Sequence, residues 1–328
     1  MKRRELLIAM GAGALAAPLA SLAQQPLAKV RRIGRLAPAT PAFTSLPDEG
    51  FVQGMRELGW VEGGNIASEY RYANGVLERL PALAAELVRL KVEVILAGST
   101  PAIVAAKNAT ATIPIVMVTT GDPVAGGLVA SLAHPGGNVT GVTALSQELG
   151  GKALDLLKQA VPGISRVAVL GGPAYPSMGT GARAIESAAR ALGVTLQTIV
   201  ARTPAEIDGA FAAMRQQRVD GLLVLPDPMF NVDQNRIPAL AARHRLPAIY
   251  ELREFVDAGG LMFYGATLRD MYRRAAVFVD RILKGAKPGE LPIEQPTKFE
   301  LVINLKAAKA LGIKIPQSLL VRADRVIE

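Results

Sequence analysis

The feature that most restricts the fold of this chain is an alternation of short β-branched runs with amphipathic stretches along its first half. The predicted strands are 32–37, 66–72, 92–97 and 114–118. The predicted helices between them are 51–58, 80–90 and 101–108. Strands that alternate with helices pair in parallel, because each helix carries the chain back along the sheet. We therefore expect a parallel α/β sheet.

The second half repeats this order of elements. Its predicted strands are 166–170, 195–200, 219–225 and 247–250, and its predicted helices are 182–192, 207–217 and 237–244. Similar residues also recur at nearly constant spacing, as when Arg56–Gly59 is followed by Arg190–Gly193. This periodicity indicates that one doubly wound unit has been duplicated.

The duplication predicts an α/β fold of two doubly wound parallel-sheet lobes joined by a multi-strand hinge. The expected division is 30–143 plus about 258–295 for lobe I, and 144–257 plus about 296–328 for lobe II. The glycine-rich segment 118–141 is interpreted as the first connection between the lobes, with further connections after Tyr264.

The first 23 residues are predicted to be a secretory signal peptide. Three basic residues at 2–4 precede an uncharged stretch from Leu6 to Ala23, which ends in the small residues expected before a cleavage site. Glycines and Pro18 make the stretch a poor membrane span. We expect export and cleavage after about Ala23, by either the Sec or the Tat route.

The composition excludes several kinds of chemistry. The chain has no cysteine, which rules out disulfides, thiolate zinc sites, a cysteine nucleophile and a lipid anchor on cysteine. Its two histidines leave little room for a metal or for acid–base catalysis. We expect no metal and no cofactor.

The formal net charge of +9 does not indicate a nucleic-acid interface. The basic residues are scattered, with short clusters at Arg31–Arg32, at Arg243–Arg245, and at Arg269, Arg273 and Arg274. Aromatic residues do not interleave with these clusters, as they would on a nucleic-acid-binding face. We interpret them as solvated surface, and expect no nucleic-acid partner.

Stretches throughout the chain after the signal segment resemble one known family, the ABC transporter substrate-binding proteins of the tryptophan and tyrosine type, which have the periplasmic-binding-protein type I fold. These stretches are Gly98–Ala102, Gly121–Val129, Pro135–Gly141, Val224–Pro228, Gly259–Met262, Ile282–Pro288, Phe299–Lys306 and Ala323–Ile327. The resemblance implies a monomeric periplasmic receptor, not an enzyme. Such a receptor closes its two lobes over a small solute and delivers it to an ABC permease in the inner membrane.

The resemblance leaves the solute open among amino acids and other aromatic or carboxylate compounds. Two other functions remain as alternatives. One is a ligand-sensing receptor for a membrane kinase, which sequence does not distinguish from a transport receptor. The other is an exported hydrolase, although the chain has no G-x-S-x-G motif around an activated serine.

Polar residues that follow the predicted strands are the candidate ligand contacts, because ligands of doubly wound sheets bind at the carboxyl ends of the strands. Ser99 and Thr100 precede a helix that Pro101 opens, so they form a seat for a carboxylate, or else simply cap the helix. The resemblance places the ligand carboxylate at this position. Thr119 and Thr120 follow the next strand, and Thr40 follows the first strand.

Carboxylates and aromatic rings complete the predicted site. Asp227 and Glu251 follow strands of the second lobe. Glu251 carries a carboxylate that could pair with a ligand ammonium group, and Asp227 is a further candidate contact. Tyr175, Tyr250 and Tyr264 offer ring faces to an apolar solute. Tyr175 lies in a loop where members of the resembled family usually carry an asparagine. Each of these residues has an ordinary alternative, as a solvated carboxylate or a tyrosine at the edge of the core.

Overall fold

The computed structural model describes residues 30–145, 149–173 and 178–328, the last range without the side chains of 178–182. The predicted signal peptide lies outside the described residues. One sheet contains β1 (Arg31–Ala37), β2 (Ile66–Tyr72), β3 (Val94–Gly98), β4 (Ile115–Thr119) and β5 (Val139–Thr143). Its strands are parallel and lie in the order β2-β1-β3-β4-β5.

The other sheet has seven strands in the order β12-β11-β10-β9-β8-β6-β7. They are β6 (Arg166–Gly171), β7 (Thr195–Val200), β8 (Gly221–Val224), β9 (Ala248–Tyr250), β10 (Met262–Gly265), β11 (Glu300–Asn304) and β12 (Arg325–Ile327). β10 and β11 are antiparallel, and the remaining neighbours are parallel. The orders β2-β1-β3-β4-β5 and β7-β6-β8-β9-β10 correspond strand for strand, which confirms the predicted duplication.

Helices cover both faces of each sheet. They are α1 (Pro41–Glu57), α2 (Leu80–Arg89), α3 (Thr100–Ala109), α4 (Gly150–Ala160), α5 (Met178–Leu192), α6 (Glu206–Gln216), α7 (Arg236–Arg243), α8 (Glu254–Asp257), α9 (Leu268–Leu283), α10 (Leu305–Leu311) and α11 (Gln317–Leu320). α1, α2, α3 and α9 pack on the five-stranded sheet and form lobe I with it, whereas the others belong to lobe II. No helix within the described ranges is long and apolar enough to cross a lipid bilayer.

Side chains alternate between the two faces of each strand, so each lobe has an apolar core on both sides of its sheet. In β6, Ala168 and Leu170 pack into one cluster of lobe II, while Val167 and Val169 pack into the other. Because helices cover both faces of the sheet, inner strands such as β6 are continuous apolar runs in the sequence, as is usual for buried parallel strands.

Two predicted boundaries between the lobes are wrong. Segment 118–141 does not join the lobes, because β5 continues the lobe I sheet and pairs with β4 from Ile115–Val139 to Thr119–Thr143. Residues 258–265 belong to lobe II rather than lobe I, since β10 pairs with β9 and β11. The chain therefore changes lobes after β5, after β10 and before β11.

α9 returns the chain to lobe I and packs closely against α1. A Cβ atom on Gly50 would lie 2.2 Å from the Arg269 carbonyl oxygen, and one on Gly54 would lie 2.7 Å from the Arg273 carbonyl oxygen. Glycines on α1 thus allow the two helix backbones to approach each other. This contact fixes α1, which carries several residues of the site described next.

Candidate ligand-binding cleft

A cleft lies between the two lobes at the carboxyl ends of their strands. The loops after β1, β3 and β4 line it from lobe I, and the loops after β8 and β9 line it from lobe II. α1 and α9 complete its walls. The empty space is about 1050 Å³ when the open mouth is included. This is the location expected for a ligand of a doubly wound sheet.

Ser99 has a backbone conformation that is unusual for a residue with a side chain. Its φ of 73° and ψ of 154° lie in a region used almost only by glycine. The Ser99 amide donates to the Val118 carbonyl at 2.8 Å, a contact that holds the residue in place between β3 and α3. Strain of this kind is concentrated at functional sites.

The Ser99 hydroxyl does not cap α3, although the residue occupies the capping position. Its Oγ atom is buried and has no hydrogen-bond partner among the described residues. An unpartnered hydroxyl beside the first amides of a ten-residue helix is suited to receive an anionic group. The capping alternative considered from the sequence is therefore not the role that this side chain has.

The threonines beside Ser99 form part of the cleft floor. Thr100 and Thr119 line the cleft with their Oγ1 atoms 3.1 Å apart, and the Gly121 amide donates to Thr119 Oγ1 at 3.1 Å. Thr120 also lines the cleft. Asp122 accepts two backbone amides through Oδ1, from Val124 at 2.8 Å and from Ala125 at 3.0 Å. Asp122 therefore stabilises the turn after β4.

Asp227 and Asn231 bring polar atoms to the cleft from lobe II. Asp227 is buried and accepts the Met229 amide at 2.8 Å through Oδ1. A Cβ atom on Gly172 would lie 2.4 Å from its Oδ2 atom, so glycine is needed there for the carboxylate to fit. Asn231 Oδ1 is buried and has no hydrogen-bond partner in the described part of the chain.

Two of the predicted tyrosines do not line the cleft. Tyr250 ends β9 and points into the lobe II core, where it stacks on Phe255 at a centroid distance of 5.4 Å. Tyr264, on β10, packs beside Phe299, with ring centroids 6.3 Å apart. Tyr175, the third predicted ring, lies outside the described residues.

Glu251 and Thr40 also lie away from the cleft surface. The Glu251 carboxylate is buried beside the start of α4, 3.5 Å from where a Cβ on Gly150 would be. Its neighbour Leu252 reaches the cleft instead. Thr40 caps α1, with its hydroxyl oxygen accepting the Phe43 amide at 3.4 Å. Local backbone contacts therefore account for the position of Thr40.

Two aromatic rings come to the cleft from helices of lobe I. Phe43 is on the first turn of α1, and Tyr272 is on α9. The Tyr272 hydroxyl lies 2.2 Å from where a Cβ on Gly98 would be, so this ring requires a glycine at the end of β3. Burial raises the pKa of Tyr272 well above its ordinary value, which keeps the hydroxyl protonated. Tyr272 is not among the residues predicted from the sequence, since no spacing relates α9 to the cleft.

The cleft walls are mainly apolar, and their polar groups are hydroxyls, an amide and carboxylates. Within the described ranges, no three His, Asp or Glu side chains are grouped so that they could hold a metal ion. Two doubly wound lobes that enclose such a cleft define a solute-binding protein of the periplasmic-binding-protein type I class. Residues 42–327 match the family model of ABC transporter substrate binding proteins, and the chain belongs to this family.

Individual relatives agree with this assignment. The chain is 27% identical to a tyrosine-binding protein of Clostridioides difficile (strain R20291) over 267 residues, which cover 81% of this chain and 76% of that protein. It is 25% identical to an ABC domain from Streptococcus pneumoniae in complex with L-Trp, with a TM-score of 0.84 and coverage of 91% and 100%. The family implies a small-molecule ligand and an ABC permease as partner, and its members are typically extracellular or periplasmic.

A further solved structure shares the fold of this chain but superposes on it less well. The ligand-free, open structure of a Clostridium difficile substrate-binding protein with adhesive properties has 24% identity and a TM-score of 0.66, with coverage of 91% and 99%. Coverage and identity are nearly the same as for the L-Trp complex, yet the superposition is poorer. Both structures share the fold of this chain.

Proposed function

We propose that this substrate-binding protein captures an amino acid with an apolar or aromatic side chain, and delivers it to an ABC importer. The observation that carries the proposal is a pair of buried polar atoms, Ser99 Oγ in lobe I and Asn231 Oδ1 in lobe II. Both residues line one cleft, and neither of these two atoms has a hydrogen-bond partner among the described residues. Buried polar atoms without partners are costly, and a bound ligand removes that cost.

The ligand carboxylate is placed at the amino end of α3. There the Ser99 and Thr100 hydroxyls and the first free amides of the helix converge on one side of the cleft. Helix amides and the positive end of the macrodipole favour a negative group at this position.

The ligand ammonium group is placed between Asp227 and Asn231. A carboxylate has several acceptor positions, so Asp227 can hold the Met229 amide and a ligand N–H at the same time. Asn231 Oδ1 supplies a further acceptor. Asp227 thus takes the role predicted for Glu251, which does not line the cleft.

The ligand side chain is placed among Phe43, Pro47, Leu252, Leu268 and Tyr272, which give the cleft its apolar walls. Burial against such walls and stacking on the two rings supply affinity for an aliphatic or aromatic group. The relatives support this class of ligand, since one is a tyrosine-binding protein and another was crystallised with L-Trp.

Capture requires the lobes to close over the solute, and the structure contains contacts suited to closure. Ala39 and Phe43 of lobe I belong to the same buried apolar cluster as Met229 and Phe230 of lobe II. The cluster therefore joins the two lobes in this structure. Hinge closure thus buries the ligand and creates the joined surface that a permease recognises.

Calorimetric titration tests the proposed ligand, with L-tyrosine, L-tryptophan, L-leucine and a neutral sugar as probes. Ser99→Ala and Asn231→Ala each remove one hydrogen bond to a charged ligand group, so each should weaken amino-acid binding roughly 10- to 100-fold. Ser45→Ala is the control, because this exposed hydroxyl bonds only within α1. The proposal is wrong if no amino acid binds, or if both cleft variants bind like the unaltered chain.

We further propose that residues 1–23 direct export to the periplasm and are removed there, and that the receptor is a monomer. The basic residues 2–4 and the apolar stretch that ends at Ala23 support the first point. Mass spectrometry of the protein recovered from the periplasm should give a chain that begins at Gln24. An intact amino terminus would contradict cleavage.

A further inference from the structure

The three basic clusters found in the sequence differ in how the fold neutralises them. Arg31 pairs with Glu93, and Arg32 lies 3.8 Å from Glu69. Arg273 pairs with Glu57 at 2.8 Å. Two of the clusters are therefore compensated by carboxylates from neighbouring elements.

The third cluster has no such compensation. Arg243 and Arg245 are exposed and form no ion pair within the described ranges, although acidic residues are plentiful elsewhere in lobe II. The Asp208 carboxylate is already paired with Arg236. This pairing lowers the pKa of Asp208, and the charge of Arg243 contributes further to the decrease. The positive charge of this cluster therefore faces solvent.

The fold places more arginines beside this cluster. Arg215 lies in the last turn of α6, and Arg218 follows the helix before β8. In the same way Arg243 ends α7, and Arg245 follows it before β9. β8 and β9 are adjacent parallel strands, so the two turns lie side by side at the amino edge of the sheet. Arg166 starts the next strand, β6, and donates to the Gln217 carbonyl.

We name this row the lobe II basic edge and define it as Arg166, Arg215, Arg218, Arg243 and Arg245. The carboxylate of Asp220 lies at the same edge. It is engaged by the backbone amides of Ser165 and Arg166 at 2.8 to 3.1 Å and by the Ser165 hydroxyl at 2.9 Å. The edge thus keeps a large excess of positive charge.

Two of these arginines occupy positions that favour glycine. Arg218 and Arg245 both have a φ of 54°, in the left-handed region, and the equivalent residue after α5 is Gly193 with a φ of 64°. The macrodipole favours one cation in the last turn of each helix, and Arg215 and Arg243 already fill that role. Arg218 and Arg245 therefore occupy positions at which glycine would make the folded protein more stable.

We propose that the lobe II basic edge binds the surface of an anionic lipid bilayer. Guanidinium groups form paired hydrogen bonds with phosphate oxygens, and clustered arginines are attracted to anionic headgroups. The five groups lie in a row across three strands and not around a cavity, so they match an extended surface better than a single small anion. The edge is at the opposite ends of the strands from the cleft, which leaves the cleft free for solute.

Vesicle sedimentation tests the proposal, with the chain made from Gln24 because every described strand and helix lies after residue 30. The test variant is the double substitution Arg218→Gly and Arg245→Gly. It removes two charges from positions where glycine is favoured, so the fold should be at least as stable. Lys91→Gly is the matched control, since Lys91 is also exposed with a φ of 52°, after α2 of lobe I.

The unaltered chain should bind vesicles made of a mixture of phosphatidylglycerol and phosphatidylcholine, and added salt should weaken this binding. It should not bind vesicles of pure phosphatidylcholine. The double variant should bind on the order of 30-fold more weakly, the equivalent of about 2 kcal/mol, while Lys91→Gly binds nearly as well as the unaltered chain.

Three results would overturn the proposal. The first is that the unaltered chain fails to bind anionic vesicles. The second is that the double variant binds them equally well. The third is that Lys91→Gly loses as much binding per charge, which would show that net charge alone decides. Ligand titration of the same variants keeps this result separate from the cleft, since none of the substituted residues lines it.

Discussion

Ser99 shows how a single residue combines strain with function. Its glycine-like backbone angles cost the folded state on the order of 1–3 kcal/mol. The threonines and the α3 amides beside it depend on no comparable strain. The residue thus lowers the stability of lobe I, and its buried hydroxyl belongs to a residue that lines the cleft.

Substitution of Ser99 should separate these two effects. Ser99→Gly relieves the strain, so we expect the free energy of unfolding to rise by about 1 kcal/mol or more. Ser99→Ala keeps the strain and removes only the cost of the buried hydroxyl, so it should raise stability less than Ser99→Gly does. Both variants lack the hydroxyl and should lose affinity for an amino acid. Urea denaturation and calorimetry measure the two quantities, and equal stability of the two variants would contradict the assignment of strain.

Glu254 is a second residue at which burial has a measurable consequence. It lies at the start of α8, and its Oε2 atom has no hydrogen-bond partner within the described ranges. Burial raises its pKa from an ordinary value of 4.5 to about 7, with a smaller increase from Asp257 and a decrease from Arg253. Between these two values the folded state keeps a proton that the unfolded chain has lost.

The stability contributed by Glu254 should therefore be fully present below pH 4.5 and be lost as the pH rises through about 7. The difference amounts to about 3 kcal/mol across that window. Glu254→Gln cannot titrate, so its stability should fall less over the same range. Chemical denaturation at a series of pH values measures both slopes, and parallel curves for the two proteins would refute the prediction.

At the scale of elements, the sequence predicts the strands well and the connections poorly. β2 and β7 have the bounds predicted from the sequence, although both are edge strands whose side chains are largely half-buried or exposed. α1 begins ten residues before its predicted start at 51. Thr40 caps this helix and Pro41 is its first residue, but Pro47 interrupts the helical pattern of the sequence in the first turns. Its omitted first turns carry Phe43 to the cleft.

The site itself depends on contacts that local sequence does not encode. Ser99 and Asp227 could be found because they follow buried strands. Tyr250 was chosen by the same rule, yet as the last residue of β9 it faces the core, and Leu252 reaches the cleft. Tyr272 reaches the cleft only because α9 returns to lobe I, a tertiary arrangement that no local pattern specifies.

The close packing of α1 on α9 can be tested at one glycine. Gly50→Ala would place a Cβ atom 2.2 Å from the Arg269 carbonyl oxygen, so the helices must separate, at a cost of about 1–3 kcal/mol. Gly209→Ala is the control, because a Cβ there meets no atom within 4 Å and alanine favours the α6 helix. Thermal unfolding should show a lower Tm for the first variant and an unchanged or higher Tm for the second. Equal shifts would contradict the close contact.

At the scale of the whole molecule, one contact between the lobes bears on affinity. A Cβ atom on Gly75 of lobe I would lie 2.4 Å from a methyl group of Val232 of lobe II. Val232 is 36% exposed, so it can be enlarged without disturbing the core of its own lobe. Because closure brings the two residues together, a larger side chain at 232 should oppose closure alone.

Val232→Phe is therefore expected to leave the Tm of the ligand-free protein unchanged and to raise the Kd for its amino acid about 10-fold or more, as an overpacked contact of 1–3 kcal/mol implies. Small-angle scattering should show that the ligand-bound variant stays more extended than the unaltered chain. Val104→Phe is the control, since Val104 is 38% exposed on α3 and does not line the cleft. If both variants bind the ligand equally well, the contact at Gly75 does not limit closure, and affinity is decided inside the cleft.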